Sequence, residues 1–409
     1  MMAVATLAGA PSNRAVDWNQ IDWHKAHRNV RRLQARIVKA IEEGRWGKVK
    51  ALQHLLTHSF SGKALAVRRV TENRGKRTPG VDRVLWDTPF KKAQGVLALR
   101  QRGYRAQPSR RTYIPKPNGK KPPLGILTMK DRAMQALYLP SLDPIAETIG
   151  DPNSYGFRRE RSPADAIAQC FQCFRQTGSP SAIYEGDIRG GFDHISHPWL
   201  LEHIPIDKRI LKQWLKAGYI DRHVFFSTEE GTPQGGVISP VLANLTLDGL
   251  EAAIVQQPHR GTQRQAKLHY IRFADDFVIC GSSPALLGED IQPAVVDFLA
   301  PRGLQLSEEK TKLTDIEDGF DFLGFNVRKY KGKLLIKPSP KSVKEFLNKI
   351  RSTLKACRHI SAGQLIAILN PLIRGWLNYY CHVVSKKIGS LGIPVVSPTY
   401  GGTQIQVVI

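Results

Sequence analysis

Two adjacent acids, Asp275 and Asp276, stand between two apolar runs in Tyr270-Ile271-Arg272-Phe273-Ala274-Asp275-Asp276-Phe277-Val278-Ile279-Cys280. Short β-rich runs either side of a polar break predict a hairpin with acids at its tip. Adjacent carboxylates repel, so they need solvent or a cation over them. A divalent metal supplies that charge, because hard cations take carboxylate oxygens. Taken alone, an Asp-Asp pair is more often a solvated turn than a metal site.

A third acid narrows the reading. In Ile183-Tyr184-Glu185-Gly186-Asp187-Ile188-Arg189-Gly190-Gly191-Phe192 the acid Asp187 closes a strand-like run before glycines. By itself Asp187 also suits a helix cap or a turn. Three carboxylates gathered at neighbouring strand ends would hold two magnesium ions. One ion lowers the pKa of an attacking 3′-hydroxyl, and the other stabilises the leaving pyrophosphate.

Other blocks surround these acids in a fixed order: Tyr113-Ile114-Pro115-Lys116-Pro117-Asn118-Gly119-Lys120, Asn153-Ser154-Tyr155-Gly156-Phe157-Arg158, Thr232-Pro233-Gln234-Gly235-Gly236, Ser307-Glu308-Glu309-Lys310-Thr311-Lys312 and Phe320-Asp321-Phe322-Leu323-Gly324-Phe325. In order and spacing they resemble the successive blocks of a reverse transcriptase of the group II intron-encoded type, over about residues 20–387. The resemblance implies an α+β right-hand polymerase: fingers and palm with an antiparallel palm sheet, then a partial helical thumb. Residues 1–80 would be a basic helical N-terminal extension, 81–330 the fingers and palm, 331–387 a partial thumb or maturase domain (domain X), and 388–409 a divergent tail.

Charge is segregated in a way that suits this reading. The net charge is +25; residues 1–130 hold 28 Lys/Arg against 7 Asp/Glu, residues 131–327 hold 18 against 27, and residues 328–387 hold 14 against 1. An acidic centre between basic flanks fits metal-binding carboxylates beside surfaces that hold a polyanion. Five cysteines, an odd number, suit a reducing compartment. Cys170 and Cys173 read as one turn of a buried helix. The first residues lack the charged-then-apolar order of a signal peptide, and no run has the length of a membrane span. The expectation is a soluble, cytoplasmic protein without membrane contact; its oligomeric state is unreadable.

Helical spacing over residues 24–57 predicts a basic amphipathic arm, or equally an ordinary surface helix. Tyr104–Thr128 reads as two strands joined by a basic turn. Residues Lys130–Leu139 read as a helix that Pro140 and Pro144 interrupt. Helices are also expected over 163–177, 197–217, Lys341–Leu354 and Gln364–Leu372. The aromatic stretch Arg374-Gly375-Trp376-Leu377-Asn378-Tyr379-Tyr380 suits base contact or helix packing.

The resemblance assigns roles residue by residue. Asp187, Asp275 and Asp276 are the catalytic acids, with the Ile188 carbonyl as a further metal ligand. Lys116, Arg110 and Lys121 are candidates for the triphosphate. Phe192 would lie under the sugar and exclude a 2′-hydroxyl, and Gln234 would contact the incoming nucleotide or its template pair. Lys310 would contact nucleic-acid backbone, and the Phe322-Leu323-Gly324 turn would grip the primer. Partners implied are group II intron RNA, an RNA template, a DNA primer and dNTPs.

Three departures stand out. Phe273 replaces the usual Tyr before Ala-Asp-Asp, and Pro122 occupies the usual position of a triphosphate-binding arginine, where it carries neither charge nor donor. After Lys387 the chain becomes uncharged. That change reads as a frameshifted or truncated copy with splicing assistance impaired, and without a Cys/His cluster no endonuclease activity is expected. The main alternative is an intron RNA-binding splicing factor whose polymerase is weak or lost.

Overall fold

The computed structural model describes residues 16–114, 122–232, 235–255 and 266–385. Helices, numbered in chain order, are α1 (Trp23–Glu42), α2 (Trp46–His58), α3 (Phe60–Glu72), α4 (Pro89–Ala98), α5 (Met129–Ile149), α6 (Pro163–Phe174), α7 (His197–His203), α8 (Lys208–Leu215), α9 (Ser239–Leu247), α10 (Leu250–Val255), α11 (Gln292–Leu299), α12 (Pro340–Ala356) and α13 (Ala362–Tyr380). Strands are β1 (Ser109–Tyr113), β2 (Pro123–Ile126), β3 (Ala182–Asp187), β4 (Tyr219–Asp221), β5 (Val224–Phe226), β6 (His269–Phe273), β7 (Asp276–Gly281), β8 (Lys312–Asp315), β9 (Phe320–Phe322), β10 (Phe325–Tyr330) and β11 (Lys333–Pro338). The chain divides into two compact units. One comprises Met1–Gly150, Gly190–Leu247 and Pro301–Gly303; the other comprises Asp151–Arg189, Asp248–Ala300 and Leu304–Ile409.

In the first unit the expected single arm over 24–57 is two helices. Asp22 caps α1 by accepting from the Lys25 amide at 2.8 Å. The apolar stripe Val30, Ile37, Ala40 and Ile41 is buried with Val49, Leu52 and Leu56 of α2 and Ile145 of α5. Helix α5 corrects the expectation of an interruption, because it runs unbroken through Pro140 and Pro144. Nearly all of its residues up to Ala146 are buried, and neighbours take up its carbonyls: Gln34 donates to Pro140 O at 2.9 Å and Gln53 to Ser141 O at 3.4 Å. Tertiary burial here outweighs the lost helical hydrogen bonds. Beyond α5, strands in the order β2-β1-β4-β5 form a sheet, with Arg110 opposite Ile126 and Tyr113 opposite Pro123. The hairpin expected over Tyr104–Thr128 is thus present as β1 and β2, although its joining turn lies outside the described residues.

In the second unit a four-stranded antiparallel sheet runs β6-β7-β3-β8. Strand alternation sorts its side chains onto two faces. Ile183, Ile271, Val278 and Cys280 face one core with Ala166, Ile167, Cys170, Cys173 and Phe174 of α6, and with Phe320, Phe322, Phe325 and Val327 of a three-stranded sheet ordered β11-β10-β9. Cys170 and Cys173 therefore sit in a helix core, where burial pushes the Cys173 thiol up to about 12. The other face carries Phe277, with the rings of Tyr184 and Tyr270 6.3 and 6.0 Å from it. Helices α12 and α13 pack through Ile350, Leu369 and Ile373. Helix α13 includes the aromatic stretch that the sequence separates from Gln364–Leu372. In it Trp376 stacks on Phe346 at 4.8 Å and lies 4.5 Å from Tyr380, the packing alternative for this residue. No helix among the described residues is long and apolar enough to cross a membrane.

Candidate active site

Strands β6 and β7 form the expected hairpin, pairing Phe273 with Asp276 and leaving Ala274 and Asp275 as a two-residue turn. Ala274 has φ of 60°, whereas Asp275 does not lie in the left-handed region. Positive φ at the first central position alone is the type II′ pattern, which favours glycine there. The turn is backed by the Asn153–Arg158 block. Arg272 N donates to Asn153 O at 2.9 Å, and Tyr155 N donates to Arg272 O at 2.8 Å. Gly156 lies directly beneath it: a Cβ there would stand 2.2 Å from Ala274 N.

Asp187 is the last residue of β3 and pairs with Asp276 across the sheet. Directly opposed residues on antiparallel strands project to the same face, so these two carboxyls face each other beside the Asp275 turn. Asp187 is 9 % exposed, and the Lys310 ammonium forms an ion pair with it. Desolvation, then repulsion from Asp275 and Asp187, pushes the Asp276 carboxyl up to about 6. Desolvation and Asp187 also raise Asp275. Lys310 is raised by its hydrogen bond to Asp187.

Among the described residues no three acid, His or Cys side chains close into a metal cage. The donor chemistry nevertheless fits a hard divalent cation. Asp275 and Asp276 hold their protons more tightly than free carboxyls and Asp187 recruits an ammonium, the response of acids lacking a countercharge. Ile188 bridges Leu306 through the flanking groups, Ser307 N to Asp187 O and Arg189 N to Gln305 O, which leaves the Ile188 carbonyl out of that bridge.

The remaining expected residues that the structure describes fall into two groups. Phe322, Leu323 and Gly324 form the β9–β10 turn, Leu323 and Gly324 having φ of 52° and 80°. Tyr379 donates to Leu323 O at 2.9 Å and Tyr380 to Gly324 O at 3.1 Å. Arg110 and Phe192 belong to the other compact unit. There Arg110 donates to Pro79 O at 3.1 Å, and the Phe192 carbonyl accepts from Thr232 N at 2.7 Å, at the entrance to the Pro-Gln-Gly block. Gly235 of that block lies against β2, with a Cβ there 2.7 Å from Gly125 O. Lys116, Lys121 and Gln234 lie outside the described residues. Phe273, the departure from Tyr, packs against the core around α6.

Sequence reading missed one acid. Asp248, two residues before α10, accepts from the Arg158 and Arg272 guanidinium groups, each at 2.6 Å. It carries no motif of its own, and only the fold brings it to the arginines.

A family model described as reverse transcriptase (RNA-dependent DNA polymerase) matches residues 114–327, more than half of the chain. The chain belongs to the reverse transcriptase family. Its antiparallel sheet and surrounding helices are the α+β right-hand polymerase architecture expected. Residues 18–99 match the N-terminal domain of reverse transcriptase, and residues 343–391 match a group II intron maturase-specific domain. Protein YkfC of Escherichia coli (strain K12) is 33% identical over 303 residues, 64% of this reverse transcriptase and 78% of that protein. Group II intron-encoded protein LtrA of Lactococcus lactis subsp. cremoris is 29% identical over 348 residues, 69% and 57% of the two chains. An uncharacterized 91 kDa protein in the cob intron of Schizosaccharomyces pombe is 26% identical over 374 residues, 71% and 45%. The chain thus spans about half the length of these two intron-encoded relatives.

Proposed function

We propose that this chain is the RNA-directed DNA polymerase of a group II intron, copying RNA into DNA from a primer and binding intron RNA. What supports the reading most is the register that opposes Asp187 to Asp276 beside the Asp275 turn, in a chain whose polymerase blocks follow in order. Asp187, Asp275 and Asp276, with the Ile188 carbonyl, would hold two magnesium ions, which supply acidification of the primer 3′-hydroxyl and charge neutralisation at the pyrophosphate. Lys310, paired with Asp187 here, would yield its place to that charge and could then reach a phosphate. Arg110, Lys116 and Lys121 bind the triphosphate, and Gln234 meets the incoming base pair. Phe192 shields the sugar, while the Phe322–Gly324 turn steadies the primer strand.

Primer extension on an RNA template with magnesium and dNTPs tests this. Asp275→Ala should reduce extension by at least about a thousandfold; a variant as active as wild type would sink the metal-site assignment. Pro122 favours a second reading, an RNA-binding splicing factor with weak synthesis. It predicts retained filter binding of intron RNA with little extension, and recovery of extension by Pro122→Arg.

A further inference from the structure

The Arg158–Asp248–Arg272 cluster has a connection that core packing alone does not require. The side chains of Arg158, Asp248 and Arg272 are 1%, 6% and 0% exposed, and both guanidinium groups converge on Asp248 Oδ1. Taking such charges out of water is costly, and apolar side chains would fill the space at least as favourably. The cluster also reaches the turn. Arg272 Nη1 donates to Ala274 O at 3.2 Å, and that carbonyl belongs to the peptide leading into Asp275. Arg158 Nε donates to Ser154 Oγ at 3.2 Å, and Ser154 is bridged to Arg272 through the backbone. Asp248 itself is fixed from the next turn of chain, where Asp151 accepts from Gly249 N at 2.9 Å and from Glu251 N at 3.4 Å. Ala274 holds φ of 60°, a conformation an alanine adopts only at a cost, and Gly156 presses against it from below.

We infer that Arg158, Asp248 and Arg272 are positioning residues for polymerisation: the cluster grips the Ala274 carbonyl, holds the turn in its left-handed conformation and so sets where the Asp275 carboxylate points. This rests on the polymerase reading of the site. None of the three touches the reacting atoms; each acts through the peptide that carries Asp275. A buried support of this kind tunes a metal site as outer partners of ligands do, where its loss costs about ten- to a hundredfold in affinity or activity.

The test uses the full chain carrying Arg272→Lys, which keeps a positive charge but lacks the planar fork that meets Asp248 through one nitrogen and Ala274 through the other. Manganese binding, followed by electron paramagnetic resonance without nucleic acid, should weaken by about tenfold. The magnesium concentration for half-maximal extension should rise by a similar factor. Adding Ala274→Gly, which removes the strain the grip opposes, should recover most of both losses. A lower melting temperature with unchanged manganese affinity, or no rescue by Ala274→Gly, would overturn the proposal and leave the cluster a core element. Should Arg272→Lys lack a cooperative melt, Ser154→Ala deletes one hydroxyl behind Arg158 and carries the same test, with a shift of about two- to threefold expected. Folded wild type that binds manganese yet gives no extension would count against the polymerase reading instead, and the manganese titration still reads the turn in that case.

Discussion

Asp276 is costly to the fold, and the proposed metal chemistry would be the reason to keep it. Its folded-state value near 6 lies above the ordinary 3.8. An acid raised on folding binds its proton more tightly in the native state, so it costs nothing below about pH 4. The penalty grows as pH rises through the folded value and is complete above about pH 6. In metal-free protein Asp276→Asn should therefore raise stability at pH 7.5 by about 1 kcal/mol, the full shift being discounted because the side chain meets solvent. Thermal melts in EDTA at pH 7.5 and pH 4 read this, and a variant less stable than wild type at the higher pH would contradict it. Extension should fall in the same variant. Phe192 allows a second prediction at this scale. It is half-buried and tied by its carbonyl to Thr232. Phe192→Val should raise ribonucleotide incorporation relative to deoxynucleotide by about tenfold or more in competition assays, the order expected for removing a steric filter. An unchanged ratio would leave Phe192 as a core ring only.

At the scale of elements, local pattern was legible and long-range support was not. Short β-rich runs around Asp275 and Asp276 predict the β6–β7 hairpin, and Asp187 falls at the end of its strand as read. Helix α5 defeated the reading because proline rules describe isolated helices, whereas Pro140 and Pro144 sit in a helix held on several sides. Asp248 was invisible for a different reason: its partners are 90 and 24 positions away, and nothing local distinguishes it. The Asn153–Arg158 block was legible as a motif but not as the floor of the turn. That role gives a prediction, since Gly156→Ala would drive a Cβ into the Ala274 amide. Overpacking of that kind costs about 1–3 kcal/mol, and because it falls on the turn, extension should decline more than a matched destabilisation elsewhere. Denaturant melts beside extension rates check both parts; normal activity at normal stability would show that the turn moves without consequence.

Over the whole molecule, charge sets the terms of binding. Basic residues dominate before residue 131 and after residue 327, and acids prevail between. Contacts from Lys and Arg to phosphate release counterions, so affinity for RNA should fall at least about a hundredfold between 50 and 200 mM salt. Filter binding measures this. EDTA should abolish extension while leaving that binding within about twofold, because the cations that hold backbone are protein side chains. A flat salt response would point to recognition by shape or stacking.

The tyrosine pair on α13 reaches further than packing. Tyr379 and Tyr380 lie in the stretch that matches the maturase-specific domain, and the carbonyls they hold, at Leu323 and Gly324, lie in the stretch that matches the polymerase. The two stretches therefore share a seam, so neither is an independently tradable cassette. Recombination that swapped in a foreign maturase segment would have to bring its own hydroxyls for that turn. A lineage that abandoned DNA synthesis but kept intron binding would lose the constraint on the turn and, with it, the reason to keep both tyrosines. Their joint retention or joint loss among descendants would then record whether copying was still under selection.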